Sequence, residues 1–378
     1  MLNLAILALS DFENWNNQKS LSMGGSSGVI KSILPYLEAD NIYLMGITSE
    51  KSNLYKEIHL KQNIYILPII FVPRNSKIPV RFHAFYYSRK INSILKKFDI
   101  QSVYSHAEEI SFWIKSVPAI LYHMHGSTNS LVKAKNKLFR NKLFQYIWEY
   151  IRKKNIQKAT KIIAIDPLCY NLTKKQNAEG KTILLPNFVD TKVFYPNDTP
   201  SKFLNHINEK ILLFVGRMEE VKGLELFVDT LIEMHRRENG NWKGVFVGSG
   251  TYEPVIKKYI SNKSSNDIFY FTGPVFEQEE LRKIFNKASI LMISSYFEGI
   301  PMVILECLAC GTPVISTNVG GVKDIIADNK TCFVIDNRNP SEFADKIKSI
   351  LSNGNYSSEE FIYSSSNASV AINKILNE

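Results

Sequence analysis

Two doubly wound α/β units, each on a largely parallel sheet and facing each other across a cleft, are what this 378-residue sequence predicts. Three observations carry that reading. Short apolar, β-rich runs alternate with amphipathic helical stretches along the chain, the pattern of strand–helix–strand units with parallel pairing. The rhythm breaks at a polar, proline-bearing segment, YPNDTPSKFLNHINEK at 195–210. Motifs rich in glycine, histidine and charge fall directly after strands, where open parallel sheets gather their loops and helix N-termini.

In order along the first half, the strand candidates are LAILAL (4–9), IYLMGI (42–47), IYILPI (64–69), VYSHA (103–107), AILYHMHG (119–126), KIIAID (161–166) and TILLPN (182–187). In the second half they are ILLFVG (211–216), GVFVGSG (244–250), IFYFTG (268–273), ILMISS (290–295), PVISTN (313–318) and CFVID (332–336). LELFVDTLIEMHRR (224–237) and EELRKIFNKA (279–288) place apolar residues at helical spacing between them. These runs define two Rossmann-like domains, drawn at 1–200 and 201–360.

Composition agrees with a compact globular chain: 45% of residues are hydrophobic and 22% charged. The opening run MLNLAILALSDFE lacks preceding basic residues and meets Asp11 and Glu13, so it reads as a first strand and not a signal peptide. No apolar stretch reaches the roughly 18 to 20 residues that span a bilayer. The four cysteines, Cys169, Cys307, Cys310 and Cys332, form no paired framework, which suits a reducing, cytoplasmic setting. A net charge of +10 points to an anionic partner without choosing among nucleic acid, a phosphate-bearing small molecule and a membrane surface.

Four motifs could carry chemistry. GRMEEVKG (216–223) follows a strand and precedes a helix, so Arg217 and Lys222 sit on a loop suited to phosphate, although a solvated basic loop accounts for it equally. MGGSSG (23–28) sets Gly24, Gly25 and Gly28 before a helix pattern, where backbone N–H groups can approach an anion. It departs from the G-x-G-x-x-G spacing of a dinucleotide fingerprint. YHMHGSTN (122–129) ends a strand with His123 and His125 on one side, and His125, next to the loop, is the better candidate for a role. FEGIPMVILECLACG (297–311) carries Glu298 in a loop and Glu306 inside a short apolar helix begun by Pro301 and ended by Gly311. A carboxylate in such a helix needs a protein cation or a ligand hydroxyl.

Taken together, the motifs resemble a known family. SSYFEGIPMVILECLACGTPVISTNVGG (294–321) is similar to the E-x7-E signature of retaining glycosyltransferases of family 4, enzymes of the GT-B fold. GRMEEVKG resembles that family's G-R-x4-K-G element, LPNFVDTKVFYP (185–196) its P-N-G-V-D segment and HGS its first-domain histidine. Phe188 replaces the usual glycine after Pro-Asn, and Asp166 stands where serine is common. The resemblance implies a nucleotide-sugar donor held by the second domain and an acceptor on the first. It implies that Glu298, with the main chain of Gly299, Ile300, Pro301 and Met302, holds the donor sugar. Glu306 then holds the ribose, Arg217 and Lys222 the diphosphate, and the main chain of Pro274 and Val275 the base. Gly24 and Gly25 approach the phosphates, and His125 stands near the reaction centre, so that His125, Glu298, Arg217 and Lys222 form the catalytic set. It also implies that residues 361–378 form a final helix crossing back to the first domain. No metal or other cofactor is expected, since no Asp-x-Asp motif is present and the two cations can replace a metal.

The segment 133–154, KAKNKLFRNKLFQYIWEYIRKK, holds eight basic residues and one acid, Glu149. Phe139, Leu143, Ile147 and Tyr150 repeat at helical spacing beside a second stripe of Phe144, Trp148 and Ile151. It reads either as a helix packed on the first sheet or as a basic amphipathic helix lying on an anionic membrane, at the inner face of the plasma membrane. The second case favours a lipid-linked saccharide acceptor and surface polysaccharide (O-antigen, capsule or exopolysaccharide) synthesis. Two other readings are a GT-B nucleotide-sugar epimerase and a basic nucleic-acid-binding protein; the first requires an acid placed for proton abstraction, the second a continuous basic and aromatic surface. The transferase expectation carries no nucleic-acid partner.

Overall fold

The computed structural model describes residues 2–15, 25–115, 117–126, 141–237, 241–298, 300–323, 332–352 and 363–377. They form two compact units, Met1–Pro186 with Ser365–Glu378, and Asn187–Ser364. The first unit is built on strands β1 (Asn3–Leu7), β2 (Asn41–Met45), β3 (Ile58–Lys61), β4 (Ile64–Ile66), β5 (Ser102–Ser105), β6 (Ala119–Met124), β7 (Lys161–Ala164) and β8 (Thr182–Leu184). Their order in the sheet is β8-β7-β6-β5-β1-β2-β4-β3, parallel throughout except for β3, which pairs antiparallel with β4 at the edge. The central strand β1 reads NLAIL and is buried at every position, as a strand covered on both faces requires.

The second unit carries β9 (Lys210–Val215), β10 (Trp242–Val247), β11 (Phe269–Gly273), β12 (Ile290–Ile293), β13 (Val314–Thr317) and β14 (Cys332–Ile335). Their order is β11-β10-β9-β12-β13-β14, all parallel. This is the 3-2-1-4-5-6 arrangement of a Rossmann fold, and the first unit repeats its 3-2-1-4 centre as β4-β2-β1-β5. In each unit the strand order reverses at one point: between β9 and β12 in the second, between β1 and β5 in the first. Ligands of open α/β sheets bind beyond the carboxyl ends of the strands at that reversal.

Every strand candidate forms, most of them shorter than the apolar run, because residues that end a run usually leave the ladder to begin a loop. His106, His125, Gly216 and Ser294 are four of these. The edge strand β3 and a two-residue pair, Ile47–Thr48 with Ile70–Phe71, escape the sequence reading because neither carries enough apolar residues to show a period.

The dividing line falls at Pro186, upstream of 200, for a packing reason. Phe188 and Phe194 are buried in the second unit, Val189 N–H donates to Tyr363 O at 2.9 Å, and Asn187 Nδ2 donates to Ile300 O at 3.1 Å. The segment 195–210, read from sequence as a break between domains, is fixed to the helix Gln278–Lys287 of the second unit. The Arg282 guanidinium lies 4.2 Å from the Tyr195 ring centre, Asn286 Nδ2 donates to Tyr195 O at 3.1 Å, and Glu280 accepts from Ser201 Oγ at 2.7 Å. The helix Ser365–Asn377 belongs to the first unit, where Asn373 exchanges hydrogen bonds with Tyr36 O (2.8 Å) and Glu38 N–H (3.2 Å).

The helix Lys142–Lys158 packs one face on the first unit and leaves the other exposed; residues 133–140 lie outside the described residues. Trp148, Ile151 and Ile156 are buried with Phe144 packed beside them, whereas Leu143, Tyr146, Ile147 and Tyr150 are exposed beside Lys142, Lys153 and Lys154. Arg152 is not a solvated charge. Its Nε donates to Glu108 Oε1 at 2.8 Å, with both side chains largely buried.

Candidate functional site

The site of the second unit is built where its strand order reverses. β9 ends at Val215, and Gly216, at φ +150°, starts a loop that hydrogen-bonds to the neighbouring strand end through Gly216 N–H to Val247 O and Met218 N–H to Ser249 O, both 2.9 Å. A single 3-10 turn, Glu220–Lys222, precedes Gly223 in the left-handed region at φ +55°, and the helix Leu224–Arg237 follows. From the adjacent strand β12, Ser294 and Ser295 lead to Glu298. The two loops are joined: Lys222 Nζ forms an ion pair with Glu298 Oε1, which also accepts from Ser295 Oγ at 2.6 Å. Ser294 Oγ donates to Lys222 O at 2.8 Å, and Tyr296 N–H to Val221 O at 2.8 Å. Lys222 and Glu298, 76 residues apart in sequence, thus share one place.

Arg338 locks this junction, and no motif in the sequence points to it. Its guanidinium donates to Ser294 O (2.9 Å), Ser295 O (3.2 Å) and Gly223 O (3.4 Å), and lies 3.8 Å from the Tyr296 ring centre. A Cβ on residue 223 would come within 2.3 Å of Arg338 Nη2 and 2.5 Å of Ser294 O, so only glycine fits. Arg217 points outward: it is exposed, and its guanidinium has no partner among the described residues.

Glu306 lies in the helix Met302–Ala309 and is half-buried, less enclosed than its apolar neighbours suggest, because the helix turns that face partly to solvent. Pro301 occupies the N-cap position. The helix ends in a Schellman motif, with Gly311 at φ +79°, Gly311 N–H to Leu308 O (2.9 Å) and Thr312 N–H to Cys307 O (3.2 Å). Ile300 and Met302 bury their side chains, leaving only main chain for a ligand, and Pro274 and Val275 sit at the end of β11. Gly299 lies outside the described residues. Cys307 and Cys310 are buried packing residues, and burial first, then the nearby Glu306 charge, pushes the Cys310 thiol up to about 12.

In the first unit, Gly24 lies outside the described residues and Gly25 opens the helix Gly25–Ile33. His125 is half-buried just past β6, and its Nε2 lies 2.7 Å from Nδ1 of His106, just past the neighbouring strand β5. His123 is buried, with Nδ1 at 2.8 Å from the Tyr104 hydroxyl. Burial, then the neighbouring His125, holds the His106 and His123 imidazoles well below their ordinary range; burial lowers His125 to about 4. All three are neutral near pH 7, so His125 can donate or accept a hydrogen bond there but carries no standing positive charge. His106 was not singled out in the sequence, although it shares with His125 the one available signal, a histidine directly after a strand. Asp166, the departure from the family's serine, caps the helix Pro167–Lys174 through Cys169 N–H at 2.6 Å.

Solved structures share this architecture over the whole chain. Sucrose-phosphate synthase from Thermosynechococcus elongatus matches with a TM-score of 0.75 at 17% identity, covering 100% of this chain and 97% of that one. Anabaena HepE in complex with UDP-glucose matches with a TM-score of 0.65 at 14% identity, covering 100% and 98%. The fold is therefore GT-B, two parallel-sheet Rossmann-like domains. Residues 198–367, a little under half of the chain, match the model of the glycosyl transferases group 1. Among curated relatives, a D-inositol 3-phosphate glycosyltransferase of Paenarthrobacter aurescens is 32% identical over 171 residues, 44% of this chain and 42% of the relative. Over such matches the chain spans less than half of the relative's length. An uncharacterised glycosyltransferase of Methanocaldococcus jannaschii is 23% identical over 349 residues, 88% of this chain and 87% of the relative.

Proposed function

We propose that the protein is a retaining glycosyltransferase that moves a sugar from a nucleotide-sugar donor to a glycan or lipid-linked saccharide acceptor. The observation that carries this reading is the joining of Lys222 to Glu298 at the strand-order reversal of a glycosyl transferases group 1 domain. The UDP-glucose held by Anabaena HepE, of the same fold, supports a nucleotide-sugar donor.

A donor diphosphate competes with Glu298 for Lys222 and recruits the outward Arg217, and the freed Glu298 takes hydroxyls of the sugar. Glu306 takes the ribose, and the main chain of residues 300–302 and of Pro274 and Val275 completes the donor contacts. As the bond from the anomeric carbon to the phosphate oxygen breaks, Lys222 and Arg217 neutralise the charge growing on the diphosphate. The acceptor oxygen bonds to the anomeric carbon from the same face, and its proton passes to the leaving phosphate oxygen. His125, neutral and on the first unit, is suited to hold a sugar hydroxyl. This chemistry uses no carboxylate nucleophile, and the two cations fill the place of a metal on the diphosphate.

The exposed Leu143, Tyr146, Ile147 and Tyr150, flanked by Lys142, Lys153 and Lys154, favour contact with an anionic membrane and hence a lipid-linked acceptor of surface polysaccharide synthesis. No helix among the described residues is long and apolar enough to cross a membrane. The deciding experiment is a panel of nucleotide sugars scored by thermal stabilisation and, for any that bind, by nucleoside diphosphate release with a lipid-linked acceptor. Binding lost in Lys222→Ala supports the assignment. A panel in which nothing binds, or an unaffected Lys222→Ala, removes it.

A further inference from the structure

The structure holds a second constellation, of which the transfer chemistry uses only His125. β5 and β6 are adjacent parallel strands, with Ser105 opposite Tyr122, so His106 directly follows one strand while His123 and His125 lie on one side of the other. The three imidazoles gather closely: ring centres are 4.4 Å apart for His123 and His125, and 4.9 Å for His106 with either. One ring nitrogen from each lies within 4.8 Å of the other two.

Their hydrogen bonds do not satisfy the cluster. His123 Nδ1 is engaged by the Tyr104 hydroxyl and His106 Nδ1 by His125, while His106 Nε2 and His123 Nε2 are buried with no partner among the described residues. A buried polar nitrogen left unpaired is unfavourable, and two side by side call for an explanation.

We propose that His106, His123 and His125 bind one divalent transition-metal ion of the nitrogen-preferring class, Zn²⁺ foremost, through one ring nitrogen each. With His123 Nδ1–H donating to the Tyr104 oxygen, its Nε2 presents a lone pair, the usual arrangement by which an outer partner fixes a ligating histidine. His106 Nε2 is equally available. Metal–nitrogen bonds of about 2.0 to 2.1 Å place ligand atoms of a tetrahedral site about 3.4 Å apart, within reach of small ring rotations, with metal bonds replacing the His106–His125 hydrogen bond. An all-imidazole set suits Zn²⁺, Co²⁺ or Ni²⁺ and not Mg²⁺ or Mn²⁺, which want oxygen. Three protein ligands leave a fourth position open, and His106 and His125 are the half-buried members, so it faces their side. The site is separate in chemistry and in unit from the diphosphate-binding cations Arg217 and Lys222.

The test uses the full chain without a histidine tag, stripped with chelator and dialysed against Zn²⁺ or Co²⁺. One metal per chain by elemental analysis, and a Co²⁺ visible spectrum of four-coordinate intensity, are expected; a large excess of Mg²⁺ leaves both unchanged. His106→Gln and His123→Gln each weaken Co²⁺ binding at least about tenfold, while His59→Gln, at an exposed histidine, does not. Substoichiometric metal, a six-coordinate spectrum, or tight binding in either variant overturns the proposal. Should the variants fail to fold by circular dichroism, zinc-edge X-ray absorption of the wild type decides: three imidazole scatterers support the site, and an oxygen-dominated shell overturns it.

Discussion

At the scale of residues, charge and backbone strain separate cleanly at the donor-side loops. The Lys222–Glu298 pair is partly exposed at its lysine and largely buried at its glutamate, and under the proposed function the charge of Lys222 matters more to a leaving diphosphate than to the fold. Lys222→Ala is therefore expected to lower kcat for sugar transfer by about 100-fold or more, measured by nucleoside diphosphate release on enzyme shown folded by circular dichroism. Gly223→Ala behaves oppositely. It forces a side chain into a left-handed conformation against Arg338 and Ser294, so the stability of the second unit falls by about 1 to 3 kcal/mol and activity goes with it. An unshifted denaturation midpoint in Gly223→Ala would contradict the close packing. Glu298, Lys222 and Arg217 could be named as candidates from sequence because each sits in a motif only a few residues long, and the structure brings the first two together. Arg338 was not, because its 44- and 115-residue separations from the carbonyls it holds leave no local trace.

At the scale of elements, the helix Lys142–Lys158 shows how one basic segment serves two environments. Its inward face carries Arg152 into contact with Glu108, and Lys158 Nζ donates to three carbonyls, Ser111 (2.8 Å), Phe112 (2.7 Å) and Ile114 (3.0 Å). Burial alone would raise the Glu108 carboxyl, but the Arg152 guanidinium, with the Tyr122 hydroxyl, holds it below the ordinary carboxylate range. A depressed folded pKa contributes stability above the unfolded value, near pH 4.3, and that contribution is lost as pH falls through the folded value. Arg152→Met leaves a buried carboxylate uncompensated. It should destabilise the first unit by about 3 to 5 kcal/mol at pH 7, with part of the loss recovered near pH 5 as Glu108 takes a proton. Urea titration at the two pH values checks this, and equal losses at both would place the cost elsewhere. On the outward face, Ile147→Glu with Tyr150→Glu should abolish sedimentation with anionic lipid vesicles while leaving far-UV circular dichroism intact; retained sedimentation would remove the membrane contact. Sequence periodicity showed both apolar stripes but could not say which packs, since Phe144 and Ile147 differ only in what the rest of the fold brings beside them. The parallel strands were legible for the opposite reason, as runs buried on both faces advertise themselves without any partner.

At the scale of the whole molecule, one donor-binding unit should respond to nucleotide sugar while the other does not. A donor present at about 100 times its Kd adds about 2.7 kcal/mol to the unit that binds it. Hydrogen exchange should then slow in β9, β12 and the helix Met302–Ala309, and much less in β2 and β4. Uniform protection of both units would argue that the donor is not held by the second unit alone. The first unit is also discontinuous in sequence, closed by the helix Ser365–Asn377 through Ile372, Leu376 and the Asn373 bonds to Tyr36 and Glu38. The order of synthesis is thus not the order of completion. The unit encoded second has all of its strands before the unit encoded first receives its last helix, so a chain halted at residue 364 should yield a cooperative second unit beside a first unit with a raw, aggregation-prone flank.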